Sequence, residues 1–184
     1  MNPSLLDPQT CAAAAIASTE PLVMVVGPAG TGKTTTTASA VRTIRDERRP
    51  VVGLAPSGKA ADVLGAEAGC PTATLARLLV QHRDGRSTPW LAGTTVILDE
   101  AGMTSTGDLA RLVELVVRRN RWRLVAVGDP AQLPAVGRGG VFAHWCATLP
   151  HHELVTPRRF DQPWEATASL ALRRGEPEAA ETYG

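Results

Sequence analysis

The segment from Gly27 to Thr34 reads Gly-Pro-Ala-Gly-Thr-Gly-Lys-Thr and satisfies the pattern G-x-x-x-x-G-K-[ST]. An apolar, β-branched run, Leu22–Val26, precedes it, and a stretch with apolar residues near helical spacing, Thr34–Arg45, follows it. A strand, a glycine-rich turn and a helix in this order bring successive backbone N–H groups and a helix N-terminus to face an anion. The segment therefore predicts a phosphate-binding loop, and the alternative is a glycine-rich turn with a surface lysine.

Each position of this loop has a predicted role. Lys33 would bridge the β- and γ-phosphates of a nucleotide, and the Thr34 hydroxyl would ligate Mg²⁺. The chain contains only two lysines, Lys33 and Lys59, and one of them falls at the position that the pattern requires. The residues predicted to contact the nucleotide from this segment are Gly27, Pro28, Ala29, Gly30, Thr31, Gly32, Lys33, Thr34 and Thr35.

Short apolar runs alternate with amphipathic stretches along the chain, which is typical of a parallel sheet covered by helices on both faces. We therefore predict an α/β fold of the P-loop NTPase class. The predicted strands are Leu22–Val26, Val51–Ala55, Thr94–Leu98, Leu124–Val127 and Leu154–Val155, and the predicted helices are Thr34–Arg45, Gly58–Ala68, Thr72–Val80, Ser105–Arg118 and Trp164–Arg174.

Two carboxylates, Asp99 and Glu100, come directly after the apolar run Val96-Ile97-Leu98. Ligands of such sheets bind at the carboxyl ends of the strands. Asp99 would therefore face Mg²⁺, directly or through water, and Glu100 would orient and deprotonate an attacking water. The alternative is a solvated acidic turn.

Composition limits the class of protein further. A chain of 184 residues that is 43% hydrophobic and 20% charged is an ordinary soluble globular protein. Its net charge of +1 gives no indication of a nucleic-acid partner. Three widely spaced cysteines suit a reducing cytoplasm, and no segment has the length of a membrane helix. A group of arginines at positions 111, 118, 119, 121 and 123 is predicted to form a solvated face, or otherwise a DNA-backbone patch.

Three motifs together select a family. The loop at 27–34, the segment Asp99-Glu100-Ala101-Gly102-Met103 and the segment Gly128–Pro134 resemble motifs I, II and III of superfamily 1 helicases. The resemblance is closest to the RecD-like superfamily 1B group, and within it to the helicase part of conjugative relaxase–helicases. It implies a RecA-like ATPase domain, with ATP and Mg²⁺ as ligands. Gln132 would sense the γ-phosphate, whereas composition alone would equally allow a proline-rich connection there.

The resemblance extends over nearly the whole chain. Gln9, in the segment Leu6-Asp7-Pro8-Gln9, matches the family's adenine reader, and Arg159, after Arg158, matches an arginine that reaches the γ-phosphate. The segments 55–61 and 72–75 resemble motif Ia and its neighbour, which lie on single-stranded DNA. The residues predicted to bind DNA are Pro56, Ser57, Lys59 and Thr74, although Ser57 and Lys59 are equally typical of a helix first turn.

The family resembled here uses two RecA-like domains with ATP between them. The stretch after Arg159 is too short for another such domain, so residues 1–184 are expected to form one domain with little autonomous unwinding. Its partners would be single-stranded DNA and a second RecA-like domain, in cis or in trans. The alternative is a stand-alone P-loop ATPase or nucleotide-dependent switch that works with a protein partner. A P-loop kinase is disfavoured by the acid pair.

Overall fold

The computed structural model describes residues 7–86, 90–118, 122–132, 139–155 and 171. The described elements occur in the following order: α1 (Pro8–Ala17), β1 (Leu22–Val26), α2 (Lys33–Asp46), β2 (Val51–Ala55), α3 (Gly58–Ala68), β3 (Thr72–Thr74), α4 (Leu75–Arg83), β4 (Thr95–Leu98), a 3₁₀ turn (Ala101–Met103), α5 (Thr106–Arg118), β5 (Arg123–Gly128), α6 (Val141–Thr148) and β6 (His152–Glu153). The predicted helix at 164–174 lies outside the described residues, except for position 171.

The six strands form one parallel sheet in the order β3-β2-β4-β5-β1-β6. Alternate residues of each strand face opposite sides, so that Met24 packs into one core and Val25 into the other. Side chains of α4, α5 and α6 complete the first core, and side chains of α1, α2 and α3 complete the second. The predicted α/β architecture, with helices on both faces, is confirmed.

Local sequence explains where two of the helices begin and end. The Ser57 hydroxyl accepts a hydrogen bond from the Ala60 N–H and caps α3, which ends at Gly69 in the left-handed conformation. The Thr74 hydroxyl accepts from the Arg77 N–H and caps α4 in the same way. These caps use the two hydroxyls predicted to contact DNA.

Two predicted elements differ from the structure, and one of its helices was not predicted. The helix predicted at Thr72–Val80 begins only at Leu75, because residues 72–74 pair with β2 as a strand. The last strand lies two residues earlier than Leu154–Val155, although the Leu154 N–H still donates to the Val26 carbonyl at 2.7 Å. Helix α6, at Val141–Thr148, was not predicted; its apolar residues face the first core through Phe142.

The expectation of a solvated arginine face is wrong for Arg123. This residue opens β5 and is buried, with its guanidinium group directed at backbone carbonyls of the α1 end. Arg111 and Arg118 are exposed and pair with Asp108 and Glu114 on their own helix. Positions 119 and 121 lie outside the described residues. None of the helices in the described ranges has the length and hydrophobicity that crossing a bilayer requires.

Candidate nucleotide-binding site

Three neighbouring strands end at one place on the sheet. The loop after β1, the acid pair after β4 and the turn after β5 meet there, because β4, β5 and β1 are adjacent and parallel. A cavity of about 390 Å³ lies between them. Its wall contains Gln9, Ala29, Gly30, Gly32, Lys33, Thr34, Thr35, Glu67, Asp99, Glu100 and Gln132. Most of the predicted nucleotide-contacting and catalytic residues are thus brought together.

The loop between β1 and α2 has the backbone that its glycines permit. Gly30 and Gly32 have φ values of 80° and 83°, in the left-handed region that residues with a Cβ rarely adopt. The Thr31 hydroxyl donates to the Pro28 carbonyl at 2.8 Å and closes the loop from inside. Helix α2 then begins at Lys33, so its free N–H groups point toward the cavity.

Lys33 folds back over this loop. Its ammonium donates to the Gly27 carbonyl at 2.8 Å and to the Pro28 carbonyl at 3.2 Å, and only 9% of the residue is exposed. A buried ammonium is costly unless its N–H groups are hydrogen-bonded, and these two carbonyls accept from two of its three N–H groups. The side chain is therefore held at the cavity wall, where phosphate oxygens could replace the carbonyls as partners.

Asp99 and Glu100 follow β4 in an unusual backbone conformation. Glu100 has φ 51°, in the left-handed region, and its N–H donates to the Asp99 carboxylate at 2.9 Å. Burial raises the pKa of Asp99, with the Glu100 N–H and Lys33 acting in the opposite direction. Burial and the neighbouring Asp99 charge raise the pKa of Glu100. A carboxylate with a raised pKa is a better proton acceptor, which is what a general base requires.

Asp99→Asn should raise the midpoint of thermal unfolding at neutral pH. Because the folded-state pKa of Asp99 is raised, the wild-type protein loses stability as pH rises through that pKa, and asparagine carries no such penalty. The gain should disappear as pH falls toward 3.8, the ordinary value. Asp62→Asn, on the exposed side of α3, is the matched control. A gain that is independent of pH would contradict this origin.

The acid segment and the turn after β5 are in close backbone contact. A Cβ at Gly102 would lie 2.6 Å from the Asp129 carbonyl oxygen, and one at Gly128 would lie 3.0 Å from the Ala101 nitrogen. The Asp129 carboxylate accepts from the Ala131 N–H at 3.0 Å and orders the turn that carries Gln132. Gln132 therefore reaches the cavity from a turn packed directly against the acid segment.

Gln9 also reaches the cavity, from the first turn of α1. Its side-chain amide donates to the Thr31 carbonyl at 2.9 Å and lies 2.4 Å from where a Cβ of Gly32 would stand. The position that the sequence predicts for an adenine reader is thus beside the phosphate loop. Part of the amide's hydrogen-bonding capacity remains available for a ligand.

The remaining predicted site residues stand elsewhere. Pro56, Ser57 and Lys59 are exposed at the carboxyl end of β2, and Thr74 is half-buried at the end of β3. All four therefore share the edge of the sheet that holds the cavity, on the side away from β1. Arg159 lies outside the described residues.

Glu67 was not predicted to belong to this site. It lies in the last turn of α3, lines the cavity, and its charge contributes to the raised pKa of Asp99. No motif marks this residue. Glu67 could have been found by expecting α3 to pack beside α2, but local spacing in the sequence does not encode which helices pair on one face of the sheet.

The residues at the cavity suit a magnesium ion. Mg²⁺ takes one or two protein ligands and completes its shell with phosphate oxygens and waters. The Thr34 hydroxyl and the Asp99 carboxylate both line the cavity, and within the described residues no group of three histidine, cysteine or acidic side chains is arranged to hold a metal alone. Such a donor set fits an ion that arrives with a nucleotide.

Comparison with known proteins agrees with this geometry. A family model described as an AAA domain matches residues 4–184. The probable conjugal transfer protein TraA of Sinorhizobium fredii is 37% identical over 172 residues, which are 93% of this chain and 15% of that protein. The RecBCD enzyme subunit RecD of Mycolicibacterium smegmatis is 34% identical over 201 aligned positions, covering 92% of this chain and 36% of that protein.

A solved structure supports the fold independently. The structure of two coordinating Pif1 helicases at forked double-stranded DNA matches with a TM-score of 0.69 at 19% identity, over 97% of this chain and 50% of that chain. The predicted α/β fold of the P-loop NTPase class and the resemblance to RecD-like helicases are thereby confirmed. The chain spans only about a sixth to a third of the curated relatives described above.

Proposed function

The chain belongs to the AAA domain family, and from this premise we propose that it is the ATP-binding and ATP-hydrolysing motor domain of a DNA helicase. It would act on single-stranded DNA, in conjugative transfer or DNA processing. The observation that carries the proposal is the meeting of Lys33, Glu100 and Gln132 at one cavity. A basic group for phosphates, a base for water and a sensing amide are the parts that ATP hydrolysis requires.

The hydrolytic step would divide these tasks among the chain's own residues. The loop N–H groups and Lys33 would hold the phosphates, and Gln9 would contact the base. Glu100 would accept a proton from the attacking water as the bond between that water and the γ-phosphorus forms and the β–γ bridge breaks. Gln132 and Arg159 would register the γ-phosphate and its loss.

Thr34 and Asp99 are the proposed magnesium ligands. A bound Mg²⁺ neutralises charge on the phosphate oxygens, and the two side chains would fix its position beside the loop. The Asp99 oxygen that accepts the Glu100 N–H retains further lone pairs for this purpose.

Single-stranded DNA would lie along Pro56, Ser57, Lys59 and Thr74. Supporting this, Pro56, Ser57 and Lys59 are exposed, and the two capping hydroxyls anchor the first turns of α3 and α4 at the same edge of the sheet. Lys59 would contribute a charge to backbone phosphates. Movement of these segments relative to the nucleotide would couple hydrolysis to translocation.

A second RecA-like domain, in cis or in trans, is the proposed protein partner. Such a domain would supply the arginine that completes the site, and lack of an arginine finger lowers turnover by ~10³–10⁵-fold. Residues 1–184 alone are thus proposed to form a single RecA-like domain with little unwinding of their own. The three cysteines are free thiols, which suits the cytoplasm that we propose as the compartment.

The test is steady-state ATP hydrolysis by the 184-residue chain, with and without single-stranded DNA, together with a nucleotide-binding titration. We expect the chain to bind ATP with negligible turnover. Once a second motor domain is supplied, we expect turnover that DNA stimulates. Brisk, DNA-independent turnover by the chain alone would instead favour a stand-alone ATPase or switch. Failure to bind ATP at all would contradict the proposal.

A further inference from the structure

Helix α1 carries Gln9 at its first turn, and half of its ten residues are alanine. Ala12 and Ile16 are fully buried, and the helix packs on α2 and β6 through Ile16 and several alanines. Alanine side chains make fewer dispersion contacts than larger ones. Polar contacts at the carboxyl end of α1 therefore add to the packing that keeps Gln9 beside the phosphate loop.

Arg123 holds the carboxyl end of α1. Its Nη1 donates to the Ile16 carbonyl at 2.6 Å, its Nη2 to Ala15 at 3.3 Å, and its Nε to Glu20 at 2.8 Å. The last carbonyls of a helix lack partners within the helix and form the negative end of its dipole, so a guanidinium group is well suited to them. Burial, followed by the charge of Arg49, lowers the pKa of Arg123 to about 10, which leaves it charged at neutral pH.

Arg49 holds the next two carbonyls. Its Nη1 donates to Ser18 at 3.0 Å and its Nη2 to Ala17, while Glu47 accepts from its Nε at 2.8 Å. Arg49 comes just before β2 and Arg123 opens β5, so two separate strand starts converge on one helix end. We call these two residues the arginine clamp.

The opposite end of α1 meets the nucleotide site. The Gln9 amide donates to Thr31 and lies against Gly32, where no Cβ intervenes. An α-helix is stiff along its axis, so a displacement at Ala17 is carried to Gln9 rather than absorbed between them. The clamp and the phosphate loop are therefore connected through one rigid element.

We propose that Arg49 and Arg123 are positioning residues that set the depth of Gln9 in the cavity, and thereby set how strongly the site prefers a nucleotide with a base over a bare polyphosphate. The proposal rests on the nucleotide site proposed above. Neither arginine lines the cavity. The clamp acts through the backbone of α1.

The experiment compares the affinities of the 184-residue chain for ATP and for inorganic triphosphate, both with Mg²⁺. Wild-type protein should prefer ATP, and Gln9→Ala should reduce that preference about tenfold, the loss expected for one hydrogen bond of ~1.4 kcal/mol. Arg49→Ala should reduce it at least threefold while leaving triphosphate affinity unchanged. Arg49→Lys, which still places a cation at the α1 end, should restore part of the preference.

Matched variants separate positioning from loss of structure. Arg42→Ala removes the same charge from the exposed side of α2 and should change neither affinity. The double variant Gln9→Ala/Arg49→Ala should lose no more preference than Gln9→Ala alone, since both changes act through one side chain. Circular dichroism of each variant checks the fold, and Arg49 is preferred to Arg123 because it is less buried.

Several results would overturn the inference. Equal weakening of ATP and triphosphate binding by Arg49→Ala would indicate a general loosening of the loop. The inference would also be overturned if the preference for ATP is unchanged in Arg49→Ala or in Gln9→Ala, or if the losses add in the double variant. These results would leave the phosphate site intact. Failure of wild-type protein to bind either ligand would instead remove the proposed function itself.

Discussion

Lys33→Ala should weaken ATP binding by roughly 100-fold or more. A hydrogen bond to a charged group contributes ~1.5–3 kcal/mol, and Lys33 is proposed to bridge two phosphates, so both contacts are lost together. Its ammonium already lies at the cavity wall, with the Gly27 and Pro28 carbonyls as its partners. Calorimetric or fluorescence titration with ATP and Mg²⁺ would measure the change.

The control for this substitution is Arg42→Ala, which removes one positive charge from the exposed side of the same helix. It should leave ATP affinity within about twofold of wild type, since exposed charges at this range are screened by salt. ATP affinity that is unchanged in Lys33→Ala, with a folded protein by circular dichroism, would remove the phosphate-loop assignment.

Glu100→Gln should lower ATP turnover by ~10²–10⁴-fold, the usual contribution of a general base, while ATP affinity stays near wild type. Glutamine keeps the size of the side chain and removes only its ability to accept the proton. Turnover should be measured in a protein that joins this domain to a second RecA-like domain, because the rate there is high enough for a decrease to be measured. Rapid-mixing experiments would separate the chemical step from product release.

Glu67→Gln is the matched control, because Glu67 lines the same cavity but follows no strand of the sheet. It makes the same chemical change at another residue of the cavity wall, and we expect turnover within a few-fold of wild type. Equal losses in both variants would mean that the cavity's total charge matters rather than a base at position 100. Wild-type turnover in Glu100→Gln would exclude Glu100 as the base.

Sequence predicted the sheet well because buried parallel strands are continuous apolar runs. The strands at Leu22–Val26 and Val51–Ala55 and the helix at Gly58–Ala68 match the predicted bounds. Residues Thr72–Thr74 were predicted to be helical but form a strand, because pairing with β2 overrides a short helical pattern. Helix α6 comes after a glycine- and proline-rich stretch of sequence, and its eight residues contain too few turns to show a clear periodicity.

The positions of candidate site residues could be predicted where a motif also fixes their place relative to a strand. Asp99 follows β4 directly, and Lys33 opens α2 after the short loop that follows β1, so their place at the carboxyl edge of the sheet follows from chain direction. The role of Arg123 could not be predicted in this way. Its partners, Ala15, Ile16 and Glu20, are more than 100 positions away, and no local pattern encodes a contact made by tertiary packing.

The contact between Gly102 and Asp129 has a mechanical consequence. With no side chain between the Gly102 Cα and the Asp129 carbonyl, the two segments are in direct contact, so a shift of one toward the other displaces it. If the turn after β5 moves toward the acid segment when the γ-phosphate leaves, the end of β4 would therefore be displaced with it. Two segments that are distant in sequence would then move together as one rigid unit.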